Sequence, residues 1–116
     1  MEISRSAIGN VRILRVSGQM NHVPFEALKK ILHDQYNESK KVIIDMVDIT
    51  HLDSSGLGQL VAAFKTSEAM NGELILVGVN DDIRKAMEDT KLVKLFRFAD
   101  SIEEAMEIYG EAHSLK

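Results

Sequence analysis

Lys41-Val42-Ile43-Ile44-Asp45-Met46, a loop from Val47 to Asp53, and then Ser54-Ser55-Gly56-Leu57-Gly58 carry the change of period that decides the fold. The first run is short and β-branched, the composition of a central strand buried on both faces. After the loop, Leu57, Leu60, Val61 and Phe64 recur at helical spacing, which predicts a helix to about Met70. Asn71-Gly72 closes it, because the left-handed position at a helix C terminus favours Gly or Asn. Glu73 to Val77 then reads as a second buried strand. Strand, helix and strand in succession require a parallel crossover.

Toward the N terminus, Glu2 to Ile8 and Val11 to Val16 flank Gly9-Asn10, whose tolerance of positive φ suits the tight turn of a β-hairpin. Arg12 and Arg15 interrupt the apolar residues of the second strand, which suggests a place near a sheet edge. Pro24 stands where a first helical turn would begin, and Phe25, Leu28, Ile31 and Leu32 keep helical spacing up to about Tyr36. Toward the C terminus, Asp81-Asp82 opens a helix to about Glu88, its acids facing the positive end of the helix dipole. Val93, Leu95, Phe96 and Phe98 suggest a last short strand. Ser101-Ile102-Glu103-Glu104 has the spacing of a capping box, which starts a final helix to about Gly110. No repeat or low-complexity linker divides the chain. The expectation is one α/β domain over residues 1–116, a mixed β-sheet with an amino-terminal hairpin and about four helices.

The chain of 116 residues is 45% apolar with a formal charge of −4, enough for a core without a metal or disulfide staple. It holds no cysteine, which excludes a disulfide scaffold, thiolate metal sites and a cysteine nucleophile. The longest apolar runs are a few residues, where a membrane span needs about 20. The start, Met1-Glu2-Ile3-Ser4-Arg5, lacks the features of a signal peptide, so a cytoplasmic location is expected. A mildly acidic chain without a basic block is a poor candidate for direct nucleic-acid binding. His22, His33, His51 and His113 are scattered, and Ser54-Ser55 lies outside a Gly-x-Ser-x-Gly elbow, so no enzyme, catalytic residue or cofactor is expected. Asp45, Asp48 and Asp53 match no calcium loop, and no metal is expected. A phosphoacceptor domain built on Asp45 would need an acidic pair where the chain reads Ser17-Gly18; Asp45 is expected instead to hold the Ser54 turn.

The segment from Asp53 to Gly58 stands at a strand-to-helix junction. A serine there suits a helix cap, and the same place suits a phosphate, since unsatisfied N–H groups and the dipole stabilise negative charge at a helix N terminus. A plain cap followed by glycines needed for geometry and a phosphoserine site both fit these residues. Projected at 100° per residue, the helix places Leu57, Leu60, Val61 and Phe64 on one side, and Ser55, Gly58, Gln59, Ala62, Thr66 and Ala69 on the other. This second stripe is short-sided, which fits either close approach by a partner or crowding by a neighbouring helix.

Val42-Ile43-Ile44-Asp45, Leu52-Asp53-Ser54-Ser55-Gly56-Leu57-Gly58 and Gly72-Glu73-Leu74-Ile75-Leu76-Val77-Gly78, with Ser17-Gly18 and Lys91-Leu92-Val93-Lys94-Leu95-Phe96, resemble the STAS domain family, in particular bacterial anti-sigma factor antagonists. The resemblance implies a partner switch. The unphosphorylated antagonist binds an anti-sigma factor that is also a serine kinase and frees the sigma factor; phosphorylation ends that binding, and a serine phosphatase resets it. It places the phosphate on Ser54, directly after Asp53, with Ser55 ranking behind. Together with the short-sided stripe, it points to a partner-binding set of Asn21, Asp53, Ser54, Ser55, Gly56, Gly58, Gln59 and Ala62. One departure stands out: the turn that in many antagonists carries acids reads Gly18-Gln19-Met20-Asn21, with amides in their place. The alternative is a non-switching STAS interaction subunit of a lipid-transport or signalling complex.

Overall fold

The computed structural model describes residues 1–21 and 26–110. His22, Pro24, Phe25 and His113, each used in the sequence reading, lie outside them. Five strands, β1 (Glu2–Ile8), β2 (Val11–Met20), β3 (Lys41–Leu52), β4 (Glu73–Val77) and β5 (Arg97–Ala99), form one sheet in the order of the sequence. β1 and β2 are an antiparallel hairpin, and every later neighbour is parallel. Four helices connect or follow the strands: α1 (Ala27–Glu38), α2 (Ser54–Ala69), α3 (Asp81–Asp89) and α4 (Ile102–Tyr109). The α/β class, the hairpin and the mixed sheet are as the sequence predicts.

Alternation along the strands divides the core. Leu14, Val42, Ile44, Met46 and Leu76 face a layer with Leu28, Leu32, Leu60, Ala63, Ile83 and Met87 from α1, α2 and α3. Val11, Ile13, Ile43, Ile75 and Val77 face Ala105, Met106 and Tyr109 of α4. β3 is therefore covered on both sides over its first half, which is why its sequence is continuously apolar there. Two tyrosines bolt helices to strand ends: Tyr36 of α1 donates to Glu73 O at 2.8 Å, and Tyr109 of α4 donates to Val42 O at 2.7 Å. The Tyr36 ring lies against Gly72, where any Cβ would collide with it. Asn71 takes the left-handed conformation (φ 53°) at the end of α2.

Three expectations change. The span read as a loop, Val47 to Asp53, is mostly the second half of β3, which pairs with an equally extended β2 through two register shifts. Exposed Asp48, Thr50 and His51 conceal that pairing in the sequence, while Ile49 is buried. The last strand is only Arg97–Ala99, because Leu92–Leu95 winds into a 3-10 turn. Asp45 does not reach the Ser54 turn. It is buried inside β3, pairs with Arg15 Nε at 3.1 Å, and accepts from the Val47 N–H at 3.0 Å.

Candidate functional site at the start of helix α2

The long β2–β3 pairing decides where α2 begins. Met20 pairs with Leu52 at the ends of the two strands, and the Asp53 N–H reaches Met20 O at 3.4 Å. Asn21, which follows Met20, is thereby brought beside the start of α2, although the two are more than thirty residues apart in sequence. Gly56 makes this approach possible: a Cβ there would run into the Met20 carbonyl oxygen and press on the Leu52 side chain. Its role is to seat the helix, and it is buried, so it does not belong to the accessible part of the expected partner-binding set.

The helix cap is Asp53, not a serine. Its extended backbone (φ −109°) turns the carboxylate over the first turn, where Oδ1 accepts from the Ser55 N–H at 2.9 Å and the Gly56 N–H at 3.2 Å. The Ser55 hydroxyl donates to the same oxygen at 2.6 Å. Asp53 therefore satisfies two of the N–H groups that a helix start leaves open. The two serines are left in different states: Ser55 is tied to the cap, whereas Ser54 is exposed and its hydroxyl finds no hydrogen-bond partner among the described residues.

The outer stripe of α2 is also corrected. Gln59 is 3% exposed, and its Oε1 accepts from the Leu28 N–H at 3.0 Å, filling an open donor at the start of α1. α1 needs this help, since the residue before it, Glu26, caps nothing with its side chain. Thr66 is buried too, its hydroxyl returned to Ala62 O. Both face α1, as the crowded-neighbour reading has it. What remains accessible is Ser54, Gly58, Lys65 and Ala69, with Ala62 half-buried between them. The spacing places these on one line, because residues three and four apart adjoin on a helix. A side chain added at Gly58 would meet open space.

His51 is exposed on β3, paired in register with the exposed Gln19. Among the described residues, no three His, Asp or Glu side chains gather as a metal site would, and no helix is long and apolar enough to cross a membrane.

Comparison with known proteins gives this geometry its context. The STAS domain family model matches residues 2–105. The anti-sigma-B factor antagonist of Listeria monocytogenes is 32% identical over 78 residues, 66% of this chain and 68% of that protein. A crystal structure from Thermotoga maritima, provisionally assigned as an anti-sigma factor antagonist, superposes with a TM-score of 0.79 at 26% identity, covering 90% of this chain and 92% of the other. The Bacillus cell-fate determinant SpoIIAA in its phosphorylated form shares the fold, with a TM-score of 0.70 at 20% identity over 93% of this chain and 99% of the other. A family match over residues 2–105, nearly all of the described residues, means that the chain belongs to the STAS domain family.

Proposed function

We propose that this chain is an anti-sigma factor antagonist that works by binding rather than catalysis. It acts in the cytoplasm as one STAS unit, residues 1–116. Unphosphorylated, it holds an anti-sigma factor and so releases a sigma factor for transcription. That anti-sigma factor, acting as a serine kinase, places a phosphate on Ser54, and a serine phosphatase removes it. The observation that carries this reading is the contrast between the two serines, with Ser54 exposed and without a partner among the described residues, and Ser55 bonded to Asp53.

The chemistry of the position supports it. A phosphate at the first residue of α2 lies at the positive end of the helix dipole, so the fold accommodates about two added negative charges with little strain. The same charges, at an exposed position, fall on whatever surface docks beside Asn21, Asp53 and Gly58. The test is incubation with the anti-sigma kinase and ATP, followed by phosphopeptide mapping. Phosphate on Ser54, absent from Ser54→Ala, is the expected result. Phosphate that persists in Ser54→Ala, or maps to Ser55, overturns the assignment.

A further inference from the structure

Between α1 and α2 runs an open groove of about 670 Å³. Val61, Ala62 and Ala69 give it an apolar floor, and its rim carries Lys29, His33 and Lys65. No Asp or Glu lines it among the described residues. Two acids flank it without lining it: Glu26 and Asp34 share an adjoining hollow with Lys29 and His33, and Glu26 pairs with Lys29 at 3.2 Å across an exposed i,i+3 contact, which neutralises that lysine only weakly. Against a formal charge of −4 for the whole chain, a groove whose charged lining side chains among the described residues are two lysines is a local inversion of sign.

We infer that this groove docks an acidic amphipathic helix of the anti-sigma partner, its apolar side chains on the floor and its carboxylates toward Lys29, His33 and Lys65. This rests on the proposed antagonist role and names the chemistry of its partner. Two observations join the groove to the switch. Ser54, Gly58, Ala62, Lys65 and Ala69 lie on one line of α2, so the serine stands one turn from Gly58 at the groove's end. The end of β2 and the residue after it carry amides, Gln19 and Asn21, rather than the turn acids of many antagonists, so the charge that would recruit a basic partner is missing there. A phosphate on Ser54 then acts on the bound helix by direct repulsion, negative against negative. Apolar anchors flanked by charges are how a helix reads a groove, and the lysines supply orientation and encounter rate.

The test uses two synthetic 18-residue amphipathic helices with identical leucine stripes, one with a glutamate polar face and one with lysine. Each is titrated into the purified chain and followed by amide NMR shifts. The glutamate helix is expected to move Gly58, Ala62 and Ala69 and to bind about tenfold or more tightly than the lysine helix, a preference that collapses at high salt. The double variant Lys29→Glu, Lys65→Glu, both exposed positions, is expected to reverse the preference with an unchanged melting temperature. Failure of the glutamate helix to bind, or equal binding of both, overturns the inference. So does movement of the same amides on raising protein concentration alone if Glu107→Lys on α4 abolishes it, since the occupant would then be a second copy of this chain. No kinase enters the assay, so loss of the Ser54 switch would not affect its outcome, and an indifferent groove would leave the switch intact.

Discussion

Asp53 and Ser54 are adjacent, yet the first organises the site and the second is presented by it. Asp53→Ala removes the acceptor of two backbone N–H groups and one hydroxyl. Loss of such a cap is expected to cost about 1–2 kcal/mol in a urea unfolding experiment. Ser54→Asp is expected to leave the urea midpoint within the error of wild type, because a carboxylate at a helix start is stabilising, while weakening partner binding. A parallel loss of stability would mean that charge at this position acts by disturbing the fold. Gly56→Ala pushes a methyl into Met20 O and is expected to destabilise by about 1–3 kcal/mol, as overpacking does. The sequence shows that a cap stands here but not which residue provides it, since Asp and Ser are both favoured caps and only the backbone path decides.

Helix α2 presents two surfaces with opposite duties, and substitutions three residues apart separate them. Gln59→Ala strands the buried Leu28 N–H at the start of α1, which is expected to cost about 1–3 kcal/mol of stability in the free chain. Ala62→Arg, on the half-buried groove floor, is expected to change stability by no more than about 0.5 kcal/mol if its long side chain reaches solvent. It is expected to cost about 2 kcal/mol or more in partner affinity by titration calorimetry, the scale of a hot-spot loss. Marked destabilisation by Ala62→Arg would place Ala62 with Gln59 and Thr66 in the α1 contact. A helical projection puts Gln59 and Ala62 on the same polar stripe. It cannot tell them apart, because the angle at which α1 crosses α2 is a tertiary fact. The second half of β3 was hidden for a related reason: exposed Asp48, Thr50 and His51 break its apolar pattern, and only pairing with an equally long β2 makes the segment a strand.

Across the molecule, the hairpin, the parallel crossover and the burial of the first half of β3 on both faces follow from period and composition, which are local signals. The grouping of Asn21 with Ser54 follows from parallel register over distant segments, which is not. Two buried phenols tie α1 and α4 to the sheet, and burial raises both pKa values well above the usual 10.0. Their neutral forms thus stabilise the fold in full below pH 10, and that contribution is lost as the pH rises from there toward the folded-state values. Stability followed by circular dichroism is expected to fall steeply in this window, and less steeply in the Tyr109→Phe variant. As a switch, a phosphate on Ser54 must change recognition without changing the fold. The most direct measurement compares the singly phosphorylated and unphosphorylated chains, each titrated against the same purified anti-sigma factor and each melted alone. A loss of about 100-fold or more in affinity, equivalent to about 2.7 kcal/mol, with an unchanged melting temperature is the predicted result. Equal affinity of the two forms would contradict it.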